Sequence, residues 1–328
     1  MTDLSTKYLG FDLKSPIIVG SSGLTNSVFA VKEHAFNGAG AVVLKSLFEE
    51  QIRMESEHSI QSSGANNLYP EAQDYISNYT LEHNLDNYLQ LIADCKKAVD
   101  IPIIASINCV TSDGWPSFAA KIEKAGADAL ELNVFVLPSD FSRGTDENEN
   151  VYFKIIEEVK KHTSLPLSLK ISYYFTNLAQ MIQKLSFTGI KGLTLFNRFF
   201  SPDFDLKNNK IVAANLLSEP GELTTSLRWV GIMYDRVRCD LAASTGIHDG
   251  EAVVKQLLAG ANVVQIVSTL YKNGNNHLKK ITTELIKWME TNEYKTVEEF
   301  RGKMSQTVIK DPAAYERVQF MKYYSGIE

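Results

Sequence analysis

Residues 165–174, LPLSLKISYY, alternate apolar and small polar positions after Pro166 and carry one lysine, Lys170, to the end of the run. The alternation reads as a buried β-strand closed by a tyrosine-rich turn. A cation at the carboxyl end of such a strand is either snorkelling, paired with an acid, or facing a ligand. Its neighbours along the chain favour the ligand, because the arrangement recurs: AVVLKS ends at Lys45, PIIASIN at Asn108, ADALELN at Asn133 and GLTLFN at Asn197.

Working outward, a longer unit repeats around these strands: FNGAGAVVLKS (36–46), KAGADALELN (124–133), FTGIKGLTLFN (187–197) and LAGANVVQIVS (258–268). Each is a helix end at a glycine, a small residue, then a nearly continuous apolar run. Glycine supplies the left-handed helix terminus, and the apolar run is what a parallel strand covered on both faces requires. With residues 17–20, 101–108, 165–171 and 239–244 the count reaches about eight strands with helical patterns between most of them. The expected fold is therefore an α/β protein, a (β/α)8 TIM barrel, with a doubly wound open sheet as the alternative. A short N-terminal β-hairpin, alternating around Gly10 and ended by Pro16, is expected beneath it. No composition shift divides the 328 residues, so a single domain over 1–328 is expected, with the tail of about 305–328 packing on the barrel or on a partner.

Composition narrows the class. A net charge of -6 with 22% charged residues is not built to neutralise phosphate backbones, which argues against nucleic acid. The three cysteines, Cys95, Cys109 and Cys239, form no CxxC pair, and the histidines show no metal spacing. The N-terminus has no basic-then-apolar signal and no run approaches a membrane span, so a cytoplasmic protein without membrane attachment is expected.

In a barrel of this kind the carboxyl ends of the strands carry the chemistry. They present Lys45 and Ser46, Asn108, Asn133, Lys170, Asn197, Ser244–Thr245–Gly246, and Val267–Ser268. Carboxamides beside cations suit a planar polar ligand with amide and carboxylate groups. The two terminal loops, STG at 244–246 and VST at 267–269, stand where barrels commonly hold phosphate.

These residues carry a resemblance. PIIVGSSG (16–23), LKS at Lys45, SINCVT (106–111), ELN at Asn133, SLKI around Lys170, LFN at Asn197, STGIHDGEAVVKQLLAGANVVQIVSTLYKNG (244–274) and TVEEFRGKM (296–304) together resemble the dihydroorotate dehydrogenase family, in particular its soluble, FMN-dependent branch. The resemblance implies hydride transfer from dihydroorotate, or a related cyclic amide, to FMN, in the pyrimidine-biosynthesis chemistry of that family. Lys170 resembles the lysine beside the flavin pyrimidine ring, where a fixed cation favours the reduced, anionic flavin. Lys45 resembles the lysine between flavin and substrate. Ser22, Gly23, Ser46 and Asn108 are then expected to line the flavin, Asn133 and Asn197 to contact flavin or substrate, and Ser244, Thr245, Gly246, Val267 and Ser268 to hold the phosphate. Thr245 stands where the family's phosphate turn has a first glycine.

A larger departure follows Asn133. The family places a Ser or Cys base in the next few residues, whereas this chain reads NVFVLPSD (133–140). Ser139 is the candidate base on a longer loop, with Cys109 and Tyr173 as further candidates; Asn66 or Asn67 stands for the family's substrate loop. The resemblance also implies a homodimer or a complex with an electron-transfer subunit. Two other readings stand beside it: an FMN-binding barrel without dihydroorotate activity, and a phosphate-binding aldolase or isomerase with Lys170 as a Schiff-base lysine.

Overall fold

The computed structural model describes residues 2–48, 70–109, 115–199 and 201–316. Strands β1 (Thr6–Tyr8) and β2 (Phe11–Leu13) form an antiparallel hairpin in which Tyr8 faces Phe11. Its two-residue turn is Leu9–Gly10, both left-handed at φ 54° and 88°. A two-residue hairpin turn requires that conformation at both positions, which glycine adopts freely and leucine does not. Leu9 holds it because its side chain is buried and its N–H donates to Asp240 Oδ2 at 2.8 Å.

The barrel strands are β3 (Ile17–Val19), β4 (Ala41–Val43), β6 (Ile103–Cys109), β7 (Ala129–Val134), β8 (Leu167–Ile171), β9 (Gly192–Leu195), β12 (Asp240–Ser244) and β13 (Val263–Ile266). All pair in parallel with their neighbours, and β13–β3 and β4–β6 contacts close the ring. A short extension, β5 (Leu47–Phe48), pairs higher on β6, and an exposed hairpin, β10 (Pro202–Asp205) with β11 (Lys210–Ala213), leaves the top after β9. The helices α1 (Val28–Phe36), α2 (Pro70–Ala98), α3 (Trp115–Lys124), α4 (Thr145–Lys160), α5 (Leu178–Ser186), α6 (Leu223–Met233), α7 (Gly250–Ala259), α8 (Ser268–Asn273) and α9 (His277–Thr291) follow the strands in chain order. The expected eight parallel strands and N-terminal hairpin are both present.

Alternate residues of each strand serve two cores. Outward positions such as Leu130, Leu132, Leu167, Leu169, Leu193 and Val264 join the large cluster under the helices. Inward positions Ile18, Ala41, Val43, Ile104, Ala129, Ala242 and Val263 join Tyr8, Leu9 and Leu13 of the hairpin in a second cluster at the bottom of the barrel. The hairpin is a plug: burial of each of its two leucines is worth about 1.5–3 kcal/mol. Gly192 makes room for it, since a Cβ there would lie 2.6 Å from Leu9 Cδ2.

One layer higher, the inward positions turn polar. Ser106, Glu131, Ser168, Thr194 and Gln265 are all buried. Tyr8 reaches up into this layer, its hydroxyl 3.1 Å from Ser168 Oγ. Above lies the carboxyl-terminal rim, where Asn108, Asn133 and Lys170 occupy one row across three neighbouring strands.

Past the last helix, the backbone N–H groups of Gly302 and Met304 donate to the carbonyls of Leu257 and Leu258, and that of Gln306 to Gly231. The tail thus packs on the protein's own α6 and α7 as far as residue 316; the remainder, 317–328, lies outside the described residues.

Candidate active site

A cavity of about 310 Å³ opens at the carboxyl ends of the strands, at the lower end of the roughly 300–1,000 Å³ typical of ligand sites. It gathers Asn133, Lys170, Asn197, Ser244, Thr245, Gly246, Val267 and Ser268 from five strand ends. Ser21, Arg198, Ser218, Gln265 and Tyr271 complete much of its wall.

Each group is fixed by its own element. Lys170 is the fourth residue of β8, inward by the strand alternation, and its Nζ donates to Gln265 Oε1 at 3.1 Å. Asn197 is buried at the top of β9; its Nδ2 lies 3.4 Å from the Val134 carbonyl and 3.3 Å from that of Lys170, which ties three strand ends together. Asn133 presents a buried Oδ1 with no hydrogen-bond partner among the described residues. Such an acceptor is costly unless a ligand satisfies it.

The terminal turn after β12 is unusual. Thr245 and Gly246 are successive left-handed residues, at φ 77° and 76°. A Cβ on Gly246 would lie 2.2 Å from the Leu223 nitrogen, so only glycine fits. The turn is held from behind: Ser244 Oγ donates to the Phe196 carbonyl at 2.6 Å, and Gly246 N–H donates to Ser218 Oγ at 3.3 Å. Ser218 in turn donates its N–H to Ser268 Oγ at 2.9 Å and meets His248 Nε2 at 3.2 Å. Burial, and next to it the Lys272 ammonium, hold His248 below its ordinary pKa, so the ring that braces Ser218 is neutral.

Lys45 and Ser46 line a neighbouring cavity of about 410 Å³, with Asn26, Phe48, Asn87 and Tyr88. The second barrel strand is interrupted here. Between the pairings of β4 and β5 with β6, the hydroxyl of Tyr88 accepts from Ser106 N–H at 2.8 Å and donates to the Ser106 carbonyl at 3.1 Å. A side chain thus replaces one rung of the ladder, and Lys45–Ser46 bulge out. Strand bulges near active sites commonly re-aim side chains in this way. Ser46 joins the two cavities, its N–H donating to Ser21 Oγ at 2.8 Å.

Three expected lining residues sit beside the main cavity. Ser22 caps the short turn Gly23–Thr25, accepting from Leu24 N–H. Gly23 faces Tyr271, whose hydroxyl would be 2.8 Å from an added Cβ. Asn108 is the rung neighbour of Asn133 on β6.

The loop after β7 has a different character. Phe135 stacks on Phe199 with ring centroids 3.8 Å apart, Tyr174 meets Phe199 edge-on at 4.7 Å, and Tyr173 packs against Tyr174 and Phe196. Val136, Pro138, Tyr152, Tyr173 and Phe175 line a further cavity of about 410 Å³. Ser139 is exposed on this loop, its N–H bonded to the Leu137 carbonyl, and does not line the cavity that holds Lys170. Tyr173 is raised above the ordinary phenol range, first by its hydrogen bond with Tyr174 and then by burial, so it stays protonated at neutral pH. Asn66 and Asn67 lie outside the described residues, as does the side chain of Cys109.

Two residues of consequence escaped the strand-end reading. Glu131 and Gln265 lie within strands, one layer below the rim, and meet each other: Gln265 Nε2 donates to Glu131 Oε2 at 2.6 Å. The alternation itself carries the signal. Glu131 shares the parity of Ala129 and Asn133, and Gln265 that of Val263, so both had to point into the barrel.

A cationic group, the unpartnered carboxamide oxygen of Asn133 and a glycine-dependent polar turn form a set that fits an anionic, amide-bearing cofactor such as a flavin mononucleotide. Comparison with known proteins gives the same direction. Relatives include a "Dihydroorotate dehydrogenase B (NAD(+)), catalytic subunit" of Methanocaldococcus jannaschii, 25% identical over 91% of this chain and 97% of that protein. Another, of the same description, is from Thermoplasma volcanium, 24% identical over 92% and 98%. A "Dihydroorotate dehydrogenase A (fumarate)" of Limosilactobacillus reuteri is 29% identical over 80% and 86%. The family profile described as dihydroorotate dehydrogenase matches residues 3–289, which is most of the chain, and with the barrel and its rim in place the chain belongs to the dihydroorotate dehydrogenase family.

Proposed function

We propose that this chain is a flavin-dependent oxidoreductase that uses FMN to oxidise a CH–CH bond of a cyclic amide, dihydroorotate or a close relative of it. One observation carries the reading: Lys170, Asn133 and Asn197 share a cavity with the Ser244–Gly246 turn and Ser268. FMN, when bound, supplies the two-electron acceptor for hydride. Lys170 supplies a fixed positive charge in that cavity, where fixed charges act more strongly than in water. The unpartnered Asn133 Oδ1 offers an acceptor to an N–H of flavin or substrate. Asn197, anchored to two carbonyls, presents a rigid amide. Ser244, Thr245, Gly246, Val267 and Ser268 are assigned to the phosphate, with Ser218 and His248 bracing them. Ser22, Gly23, Ser46 and Asn108 are assigned to the flavin edge, and Lys45 to the boundary with the substrate.

Proton removal is assigned to Ser139. It serves if the 135–140 loop turns inward, because no carboxylate or imidazole lines the Lys170 cavity among the described residues. The aromatic cluster of Phe135, Tyr174 and Phe199 at that end favours a cyclic amide bearing an apolar substituent as a second reading. Among the described residues no helix is long and apolar enough to cross a membrane. A cytoplasmic single-domain enzyme, acting as a homodimer or with an electron-transfer subunit, completes the proposal.

Anaerobic mixing of the FMN-loaded protein with dihydroorotate, followed at the visible flavin band, tests the reading. Rapid bleaching supports it. A protein that is colourless and refuses added FMN overturns it. Bound FMN that only dithionite reduces moves the substrate to other cyclic amides.

A further inference from the structure

We infer that Glu131 and Gln265 are positioning residues for Lys170, a carboxylate–amide relay inside the barrel that sets the reduction potential of the flavin. The inference rests on the FMN reading above and adds to it Glu131, which lies beneath the rim, and the Gln265 amide in the cavity wall that joins it to Lys170.

The geometry is continuous. Glu131 is 1% exposed, and its Oε2 accepts from Gln265 Nε2 at 2.6 Å and from Thr194 Oγ1 at 3.1 Å. The other end of the same amide, Gln265 Oε1, accepts from Lys170 Nζ at 3.1 Å. An ammonium only donates and a carboxylate only accepts, so the amide has one orientation: oxygen to Lys170, nitrogen to Glu131. Acid and lysine are therefore neither a contact ion pair nor independent. They are held one amide apart, with the lysine above and the acid below.

This arrangement is not explained by stability. The second carboxylate oxygen, Oε1, has no hydrogen-bond partner among the described residues, although it is buried. A buried carboxylate with half its acceptor capacity unused is a poor way to fill a barrel core, where apolar side chains of similar volume commonly do as well or better. Beneath it the layer is tied to the plug, through Thr194 and Ser168 to Tyr8. Among the described residues Lys170 donates to one side chain, Gln265 Oε1, and that amide is fixed from below. The relay aims the ammonium, and the acid beneath it offsets part of the ammonium's field at the flavin.

The two parts of that role predict opposite signs. Glu131→Gln keeps an acceptor for Gln265 but removes the negative charge, so reduced flavin should gain at least tenfold over oxidised flavin at a fixed poise, about 30 mV for a two-electron couple. Gln265→Met keeps the volume but removes the acceptor of Lys170, so the same ratio should fall severalfold. The experiment is a spectroscopic redox titration of the FMN-loaded protein and both variants, after FMN content has been measured. Shifts of opposite sign support the relay. Unchanged potentials, or shifts of the same sign as a general packing lesion gives, overturn it. Should Glu131→Gln not fold, Gln265→Met in a Lys170→Met background decides: a shift under twofold there supports action through Lys170, and a shift as large as in the Lys170 protein overturns it. Protein that binds no FMN overturns the functional reading and this inference together, whereas FMN bound with unaltered potentials overturns the relay alone.

Discussion

The rim of the barrel has two unlike arcs. From β9 through β12 to β13 it is polar and internally braced: Asn197 spans two carbonyls, Ser244 is tied to Phe196, and Gly246 rests on Ser218, which rests on His248 and Ser268. After β7 and β8 it is aromatic and open: Phe135, Tyr173 and Tyr174 remain 39–41% exposed although they pack on one another and on Phe199. The first arc is preorganised for one ligand whose polar groups are fixed in advance. The second offers apolar surface, with Ser139 exposed on its loop. The contrast teaches that two arcs of one rim are built on different terms, with Lys170 at their junction.

The largest effect expected of any change is at that junction. Lys170→Met should slow flavin reduction by the cyclic amide by ~10²–10³, the usual loss when one fixed electrostatic donor is removed, measured by anaerobic stopped-flow at the flavin band. An undiminished rate would mean that the two arcs do not meet at Lys170. Next, Ser139→Ala probes the open arc alone. It should slow substrate-driven bleaching by ~10²–10⁴ as a lost general base does, with FMN affinity unchanged because Ser139 lies outside the cavity. An unchanged rate would remove Ser139 as the base.

Gly246→Ala probes the braced arc. It adds a Cβ 2.2 Å from the Leu223 nitrogen at a left-handed position, and the strain alone costs about 1–3 kcal/mol. The expected outcome is FMN lost on gel filtration and a lowered melting temperature, with near-native far-ultraviolet circular dichroism. FMN retained in full would show that the turn is not a ligand seat. The smallest effect concerns pH. His248 is depressed below 6.5 in the folded protein, so the stability of the neutral ring is complete above that value and is lost as pH falls through the depressed folded value. Thermal melts from pH 7.5 down to 5 should show a decline that His248→Gln flattens. Equal slopes would mean that the brace does not depend on the charge of His248.

The interior of the barrel was legible in the strands once their parity is followed. Ala129, Glu131 and Asn133 take the inward face of β7 while Leu130, Leu132 and Val134 take the outward one. The strand-end lysines and asparagines stood out because polar residues end otherwise apolar runs. Glu131 and Gln265 did not, because each lies within a run and its meaning depends on a partner 134 positions away. Neither the Leu9 plug nor the Tyr88 rung has a local signal. Leucine at a left-handed turn and tyrosine in a long helix make sense only through Gly192 and Ser106, which other segments supply.

By itself the sequence determined the parallel barrel, the hairpin and the set of polar strand ends, because the period of two and the glycine-ended helices are local properties of the chain. Only the tertiary structure decided which of those ends share a cavity. It set Lys45 one serine hydrogen bond away from the cavity of Lys170, put Ser139 outside it, and brought Glu131 beneath Gln265. The physical reason is that strand order fixes which residues can exist at a rim. Closure of the ring, a broken rung at Ser106 and side-chain hydrogen bonds between distant strands fix where they point.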